Sequence, residues 1–288
     1  MAQCLKSSIA AAVGALLVAV PATARTILFV GNSFTFGANS PVQTFHPERV
    51  TDLNHEGIGG VPALFKTFAT EAGLDWQVSL ETSPGKDLSF HYAEKRATLA
   101  GRWDVVILQG YSTLDPERPG NPATHVRAAG QLAALFKAAN PDATVELVTT
   151  WSRADLAYRP GSPWSGKPIA AMLSDLAAAS ALALRSSHDI AAAIPVGQSW
   201  NRAFTTGIAD RDPYDGTDFG KVDLWSWDHY HASAAGYYLE AMVIFASVTR
   251  VDPRTLGERE AAAHELGLAP AVAKALQGVA YDEVTAAR

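Results

Sequence analysis

ILFVGNSFTFG, residues 27–37, is the stretch that decides the fold of this chain. Four apolar residues give way to a Gly-Asn-Ser sequence, which is typical of a strand that is buried on both faces and ends in a loop. Such strands belong to parallel sheets, which bind their ligands at the carboxyl ends of the strands. The pattern therefore predicts that Ser33 lies at the ligand-binding edge of a sheet.

The rest of the chain alternates apolar runs of strand length with helical patterns. Further strands are predicted at residues 76–80, 105–108, 145–149 and 190–196, and helices at residues 61–72, 88–100, 124–139, 169–186 and 234–248. This alternation predicts an α/β protein in which a mostly parallel five-stranded sheet lies between two layers of helices. Because no linker or repeat divides residues 25–288, we expect them to form a single domain.

A second motif, WDHYHASAAG at residues 227–236, places Asp228 and His231 three residues apart. Together with Ser33 they supply the groups that nucleophilic acyl transfer requires, namely a hydroxyl, an imidazole base and a carboxylate that holds the imidazole. Asp228 is also close to the start of the helix predicted at residues 234–248. Ser233 is closer still and is the better N-cap, which leaves Asp228 free for the triad.

Both motifs resemble blocks of one enzyme family. GNSFT, residues 31–35, resembles the first block of the SGNH (GDSL-like) hydrolases in the variant where Asn replaces Asp, and DHYH, residues 228–231, resembles their last block. The resemblance covers residues 25–251. It implies a flavodoxin-like three-layer fold and a serine esterase without a cofactor, with Ser33 as nucleophile, His231 as general base and Asp228 as its orienting partner.

The family also implies an oxyanion hole, built from the amide of the nucleophile, a Gly of the second block and an Asn of the third. Ser33 supplies the first donor, and Gly85 matches the second, although Gly85 is equally typical of a simple turn. The third block departs from the family pattern because Ser112 stands where Asn is expected. Either the Ser112 hydroxyl or the Gln109 amide is then the third donor, and the LQ-x-x-S pattern of a subgroup of SGNH-like proteins favours Gln109.

Several other residues are candidate contacts in the cleft. The tryptophans Trp151, Trp164 and Trp227 are expected at strand ends or beside the triad, where an indole either stacks on a substrate or packs in the core. His229 is interpreted as a substrate contact. The polar segment 36–60 is predicted to form a wall or lid of the cleft. The remaining helix-associated histidines, His91, His125, His188 and His264, are interpreted as surface residues.

A metal site is the alternative to the serine mechanism. His229 and His231 form an H-x-H pair that with Asp228 offers three ligand types for a metal-dependent hydrolase. No further ligands follow at a matching spacing, although His46 and His55 in the loop are available. We therefore predict no metal.

The first 24 residues have the pattern of a cleavable signal peptide. Lys6 precedes the apolar run 9–20, and the segment ends in Pro-Ala-Thr-Ala, which predicts cleavage after Ala24 and a secreted or periplasmic protein. The apolar run is too short to span a bilayer, so no stable membrane insertion is expected. The net charge of −6 argues against a nucleic-acid partner.

These patterns together predict a secreted serine esterase whose partner is a small-molecule or glycan ester. Export, an acidic composition and clustered tryptophans favour deacetylation of a carbohydrate. A lipid or aryl esterase with the same mechanism is the alternative within this chemistry. A non-catalytic glycan-binding protein on the same scaffold is the alternative outside it, because a fold does not determine a function.

Overall fold

The computed structural model of the protein describes Met1 and residues 24–288. The predicted signal peptide therefore falls almost entirely on residues that lie outside the described ones. The strands are β1 (Arg25–Gly31), β2 (Thr51–Asp52), β3 (Trp76–Thr82), β4 (Val105–Gln109), β5 (Thr144–Val148) and β6 (Ile190–Ile194). The helices are α1 (Ser33–Phe36), α2 (Gly60–Glu71), α3 (Leu88–Glu94), α4 (Arg96–Leu99), α5 (Ala123–Ala139), α6 (Ala154–Ala157), α7 (Ala170–Ser186), α8 (Val196–Thr205), α9 (Ala234–Thr249), α10 (Ala261–Glu265) and α11 (Pro270–Ala286).

The strands form one parallel sheet in the order β2-β3-β1-β4-β5-β6. Apart from β2, this is the flavodoxin-like order, and the predicted α/β fold with a parallel sheet is confirmed. The sheet has six strands rather than five because Thr51–Asp52 pairs with β3 at the edge. Two polar residues are too short a run to give a period-2 signal, so the sequence does not reveal this strand.

Alternate residues of β1 face two separate hydrophobic cores. Ile27 and Phe29 belong to the core beneath α2, α8, α9, α10 and α11, whereas Leu28 and Val30 belong to the core beneath α3, α5 and α7. All four side chains are almost completely inaccessible to solvent. This double burial explains why the strand reads as a continuous apolar run, and it produces the three-layer architecture.

The predicted elements differ from the observed ones in three respects. The helix predicted at residues 88–100 is two short helices, because the backbone of Lys95 leaves the helical region between α3 and α4. The strand predicted at residues 190–196 ends at Ile194, since Pro195 cannot donate to a strand ladder and α8 begins directly after it. Helices α8, α10 and α11 and the short helices α1 and α6 were not predicted.

The sheet has a topological switch point at β1. The chain moves from β1 to β3 on one side and then returns to β4 on the other, so the loops after β1 and β4 diverge and leave a crevice. Ser33 lies two residues beyond the end of β1, at this crevice. Within residues 24–288, no helix combines the length and apolar character that crossing a bilayer requires.

Candidate active site

The turn that carries Ser33 is tied to the ends of the two neighbouring strands. Asn32 caps α1, accepting a hydrogen bond from the Phe34 amide at 3.2 Å. Its Nδ2 donates to the Lys86 carbonyl at 2.9 Å and to the Gly110 carbonyl at 3.4 Å. These residues follow β3 and β4, so one amide side chain joins three strand ends. Ser33 is the first residue of α1 and is buried apart from a small exposed fraction.

Gln109 braces this turn from below. Its Oε1 accepts hydrogen bonds from the Asn32 amide at 2.9 Å and from the Thr35 hydroxyl at 3.0 Å, and its Nε2 donates to the Gly110 carbonyl. A Cβ atom at Gly31 would overlap both Thr35 Oγ1 and Gln109 Oε1, so the brace requires glycine at that position. Because the Gln109 amide is committed to protein partners, this geometry does not favour Gln109 as the third oxyanion donor.

Asp228 and His231 form the other half of the site. Asp228 Oδ2 lies 2.6 Å from Nδ1 of His231, while Oδ1 accepts hydrogen bonds from the backbone amides of Tyr230 at 3.1 Å and His231 at 2.9 Å. Burial acts to raise the pKa of the Asp228 carboxyl, but these hydrogen bonds from His231 and Tyr230 outweigh it and lower that pKa. Asp228 is therefore ionised at neutral pH and holds the imidazole by a charge-assisted hydrogen bond.

The fold brings the two motifs to the same edge of the sheet. The ring of His231 lies 5.8 Å from the ring of Phe34, the neighbour of Ser33. The Tyr237 hydroxyl, at the start of α9, lies 3.1 Å from the carbonyls of both Ser33 and Ala38, which share its single hydrogen as acceptors. Nε2 of His231 makes no hydrogen bond with any described residue. The imidazole is thus held through Nδ1, with Nε2 available to accept a proton.

The other two oxyanion candidates have different surroundings. Gly85 is exposed, at a positive φ of 66°, in a turn closed by a hydrogen bond from the Lys86 amide to the Ser83 carbonyl. Ser112 is buried, and its hydroxyl oxygen accepts a hydrogen bond from Nη1 of Arg153 at 3.3 Å. Accepting this bond leaves the hydroxyl hydrogen of Ser112 free to donate.

Two of the three predicted tryptophan contacts are corrected. Trp151 is fully buried and is stacked between Phe34, at 4.0 Å, and Trp200, at 4.7 Å. Trp164 is buried in a separate apolar cluster, where its indole donates to Asp175 at 2.7 Å. Both indoles pack in the interior, where a substrate arriving from solvent cannot reach them, and only Trp151 contacts Phe34 beside Ser33.

Trp227 and His229 both lie on the loop that carries Asp228 and His231. The Trp227 side chain is 77% exposed and directly precedes Asp228, so it is accessible to a substrate. His229 has a positive φ of 56° and its ring lies 4.3 Å from the ring of Tyr214. The His229 ring therefore packs on Tyr214, whereas the His231 ring pairs with Asp228.

The residues proposed as alternative metal ligands are not arranged as a metal site. In the part of the chain that the structure describes, no group of three or more His, Cys, Asp or Glu side chains is placed to hold an ion. His46 contacts Glu48 and Glu265 instead.

Arg153 is a component of the site that the sequence did not reveal. Its guanidinium is paired with Asp155 at 2.6 Å, donates to Ser112, and lies 3.5 Å from the ring centroid of Tyr230. The Tyr230 ring in turn lies 4.0 Å from that of His231. Arg153 therefore connects the loop after β4 with the loop that carries His231. Nothing in the local sequence around Arg153 indicates this role, because both partners come from distant segments.

Comparison with known proteins supports the fold. No family model and no curated protein matches the chain. Among solved structures, a DUF4886 family protein from Bacteroides uniformis is 18% identical with a TM-score of 0.64, over 91% of this chain and 95% of that one. A candidate GDSL-like lipase from Parabacteroides merdae is 18% identical with a TM-score of 0.54, over 78% and 95% of the two chains. The chain therefore has the SGNH hydrolase-like fold that its two end motifs predict.

Proposed function

We propose that the protein is a serine hydrolase that cleaves carboxylic esters through an acyl intermediate on Ser33. One observation carries this proposal: Asp228 holds Nδ1 of His231 at 2.6 Å, beside the turn that presents Ser33. This bond places the proton of the neutral imidazole on Nδ1, which leaves Nε2 as the acceptor that a general base needs.

The proposed reaction has two halves. Ser33 Oγ attacks the ester carbonyl carbon while His231 Nε2 takes the hydroxyl proton, and the tetrahedral intermediate expels the alcohol, which leaves with that proton. Water then attacks the acyl-serine in the same way, with His231 as base, and releases the acid and free Ser33. Throughout, Asp228 stabilises the imidazolium without being protonated.

For the oxyanion, we assign the amides of Ser33 and Gly85 and the hydroxyl of Ser112. The contact with Arg153 supports Ser112, because a hydroxyl that accepts from a guanidinium is polarised and donates more strongly. Gln109 is the less favoured third donor because its amide already bonds the nucleophile turn and the Gly110 carbonyl.

For the substrate, we propose an acetylated carbohydrate. The exposed indole of Trp227 beside Asp228 offers a flat apolar surface on which a sugar ring can stack. The signal-peptide pattern in residues 1–24 supports export to a compartment where such polymers occur. The Parabacteroides merdae protein, described as a candidate GDSL-like lipase, supports ester cleavage in general, so a lipid or aryl ester remains the alternative substrate.

A serine-directed phosphonate probe followed by peptide mass mapping tests the mechanism. We expect labelling of Ser33, together with a loss of turnover of at least about a thousandfold in Ser33→Ala and His231→Ala. Labelling at another residue, or no labelling, contradicts the mechanism. Activity that survives Ser33→Ala but disappears with a chelator indicates the metal-dependent alternative.

The variant Trp227→Ala tests the substrate class. If the indole stacks on a sugar, its removal raises KM for an acetylated oligosaccharide by about fivefold to a hundredfold but leaves KM for a short aryl acetate nearly unchanged. An equal effect on both esters argues against a sugar-stacking role. In the wild-type protein, a turnover rate that increases with the acyl length of aryl esters would indicate a lipase-like pocket instead.

One observation favours a second candidate, a glycan-binding protein without catalysis. The third block has Ser112 in place of the family Asn, and Gln109, which the sequence pattern favours as the alternative donor, is bonded to the turn that carries Ser33. This candidate predicts binding of an acetylated glycan that is unchanged in Ser33→Ala and no turnover of any ester.

A further inference from the structure

Asn39 lies outside both sequence motifs, yet it contacts the catalytic carboxylate. Its Nδ2 is 2.7 Å from Oδ2 of Asp228 and 3.4 Å from Nδ1 of His231. Its backbone carbonyl accepts a hydrogen bond from the Ser226 hydroxyl at 2.7 Å. Asn39 is six residues beyond Ser33, so the segment that follows the nucleophile is fastened to the loop of the base by both a side chain and a backbone group.

Chemistry determines which end of the Asn39 amide faces Asp228. An ionised carboxylate only accepts hydrogen bonds, and the hydrogen bonds to Asp228 keep it ionised at neutral pH. The NH2 group, which donates, must therefore point toward Oδ2.

The backbone of Asn39 is adapted to this contact. Its φ of 58° lies in the left-handed region, which Asn tolerates better than most residues but which still costs free energy. Such a conformation persists where the surrounding structure holds it, and here the Ser226 hydroxyl does so. An exposed residue that served only as a loop connection would not need both restraints.

The contact acts on the oxygen that matters for catalysis. Asn39 and Nδ1 of His231 donate to the same oxygen, Oδ2, while the backbone amides of Tyr230 and His231 occupy Oδ1. With both oxygens bonded, the carboxylate cannot rotate about its Cβ–Cγ bond without breaking charge-assisted hydrogen bonds. The imidazole plane is fixed as a consequence.

We infer that Asn39 is a positioning residue that holds Asp228 and thereby keeps His231 oriented to remove the Ser33 proton. This inference rests on the proposed serine mechanism. It assigns to the loop after Ser33 a part in orienting His231, in addition to its predicted role as a wall or lid of the cleft.

Three variants separate positioning from a merely structural role. Asn39→Gly removes the amide and tolerates the positive φ, so the backbone is not strained. Asn39→Asp keeps the size but places a second carboxylate against Asp228. Ser40→Ala is the matched control, because it removes the side-chain cap on Val42 in the same loop and leaves the amide of Asn39 in place.

The readouts are kcat, KM and the rate of phosphonate labelling at Ser33, with melting temperature as a check on folding. We expect Asn39→Gly to lower kcat and the labelling rate by about tenfold to a hundredfold, with KM within about twofold of wild type. Asn39→Asp should lower them further, because two adjacent carboxylates repel each other. Ser40→Ala should stay within about twofold of wild type.

The outcomes distinguish this inference from the mechanism on which it rests. Labelling of wild-type Ser33 at a rate that Asn39→Gly does not change overturns the role of Asn39 and leaves the serine mechanism standing. A loss in Asn39→Gly that Ser40→Ala reproduces, or that falls on KM alone, also overturns it. If wild-type Ser33 is not labelled at all, both proposals fall.

Discussion

At the scale of single residues, the hydrogen bonds of Gln109 indicate a different function from the one its sequence pattern predicts. The sequence pattern favours Gln109 as an oxyanion donor. In the structure, its amide oxygen instead accepts hydrogen bonds from the Asn32 amide and the Thr35 hydroxyl, on either side of Ser33. Gln109 is almost completely buried, so bulk solvent cannot replace those bonds. We therefore expect Gln109 to contribute chiefly to stability.

The variant Gln109→Leu tests this expectation. It leaves the Asn32 amide and the Thr35 hydroxyl as buried donors without an acceptor, which should lower the free energy of unfolding by about 2–4 kcal/mol in urea denaturation. In the double variant Gln109→Leu/Thr35→Val one of those donors is also removed, so part of the loss should be recovered. A Gln109→Leu protein with wild-type stability and a greatly reduced kcat would show that Gln109 is an oxyanion donor after all.

At the scale of elements, different residues cap helix α9 and hold the imidazole of His231. The prediction that Ser233 caps this helix is confirmed, because its hydroxyl oxygen accepts from the Gly236 amide at 3.2 Å and its proton goes to the Asp223 carbonyl at 2.8 Å. Asp228 is thereby free to bond His231. Tyr237, one turn into the same helix, carries the hydroxyl that bonds the nucleophile segment.

Removing this cap should destabilise the protein without changing the identity of the base. Ser233→Ala is expected to lower the free energy of unfolding by about 1 kcal/mol, measured by denaturant titration. Ser233→Thr retains the capping oxygen and serves as the control, which should lie close to wild type. An equal loss in both variants would indicate that packing around the side chain, rather than the cap, is responsible.

Most long elements were predictable because each carries its own periodicity. The bounds of α2, α5, α7 and α9 lie within one residue of the predicted ones. The break between α3 and α4 was not predictable, because it depends on the backbone geometry of Lys95. The edge strand β2 was not predictable either, because it exists only through its pairing with β3. Helix α11 packs along α9 and was not predicted.

At the scale of the whole molecule, one buried histidine, His125, makes the stability of the fold depend on pH. The expectation of surface positions is wrong for His91 and His125, which are buried, and right for His188 and His264. The ring of His125 packs against Gly110, the residue after β4, so closely that a Cβ atom at Gly110 would overlap it. Burial lowers the pKa of His125 to about 4, although the charge of Asp87 acts in the opposite direction.

This shift predicts the direction of the acid dependence of stability. The unfolded chain binds a proton at His125 near pH 6.5, whereas the folded protein does so only near pH 4. The free energy of unfolding should therefore fall as the pH is lowered from about 6.5 to about 4, with His125 contributing about 3 kcal/mol of the loss.

Comparing the pH slopes of two variants isolates this contribution. His125→Asn should flatten the decline between pH 6.5 and pH 4, whatever its effect on stability at neutral pH. His188→Asn, which changes an exposed histidine, should leave the slope as in wild type. Identical slopes in wild type and His125→Asn would show that the folded protein binds a proton at His125 as readily as the unfolded chain does.

The sequence by itself determined the fold class, most of the long elements and the three residue types of the candidate triad. These features depend on a few neighbouring residues each, namely hydrophobic periodicity, a Gly-Asn-Ser turn and a helix cap. They can therefore be recognised without knowledge of the tertiary packing. Only the tertiary structure decided the hydrogen-bond partners of Gln109, Asn39 and Arg153 and the burial of Trp151. Asn39 and Asp228 are 189 residues apart, and Asn32 and Gln109 are 77 apart. Hydrogen bonds over such separations exist only because the parallel sheet brings the ends of its strands together, and no local pattern encodes them.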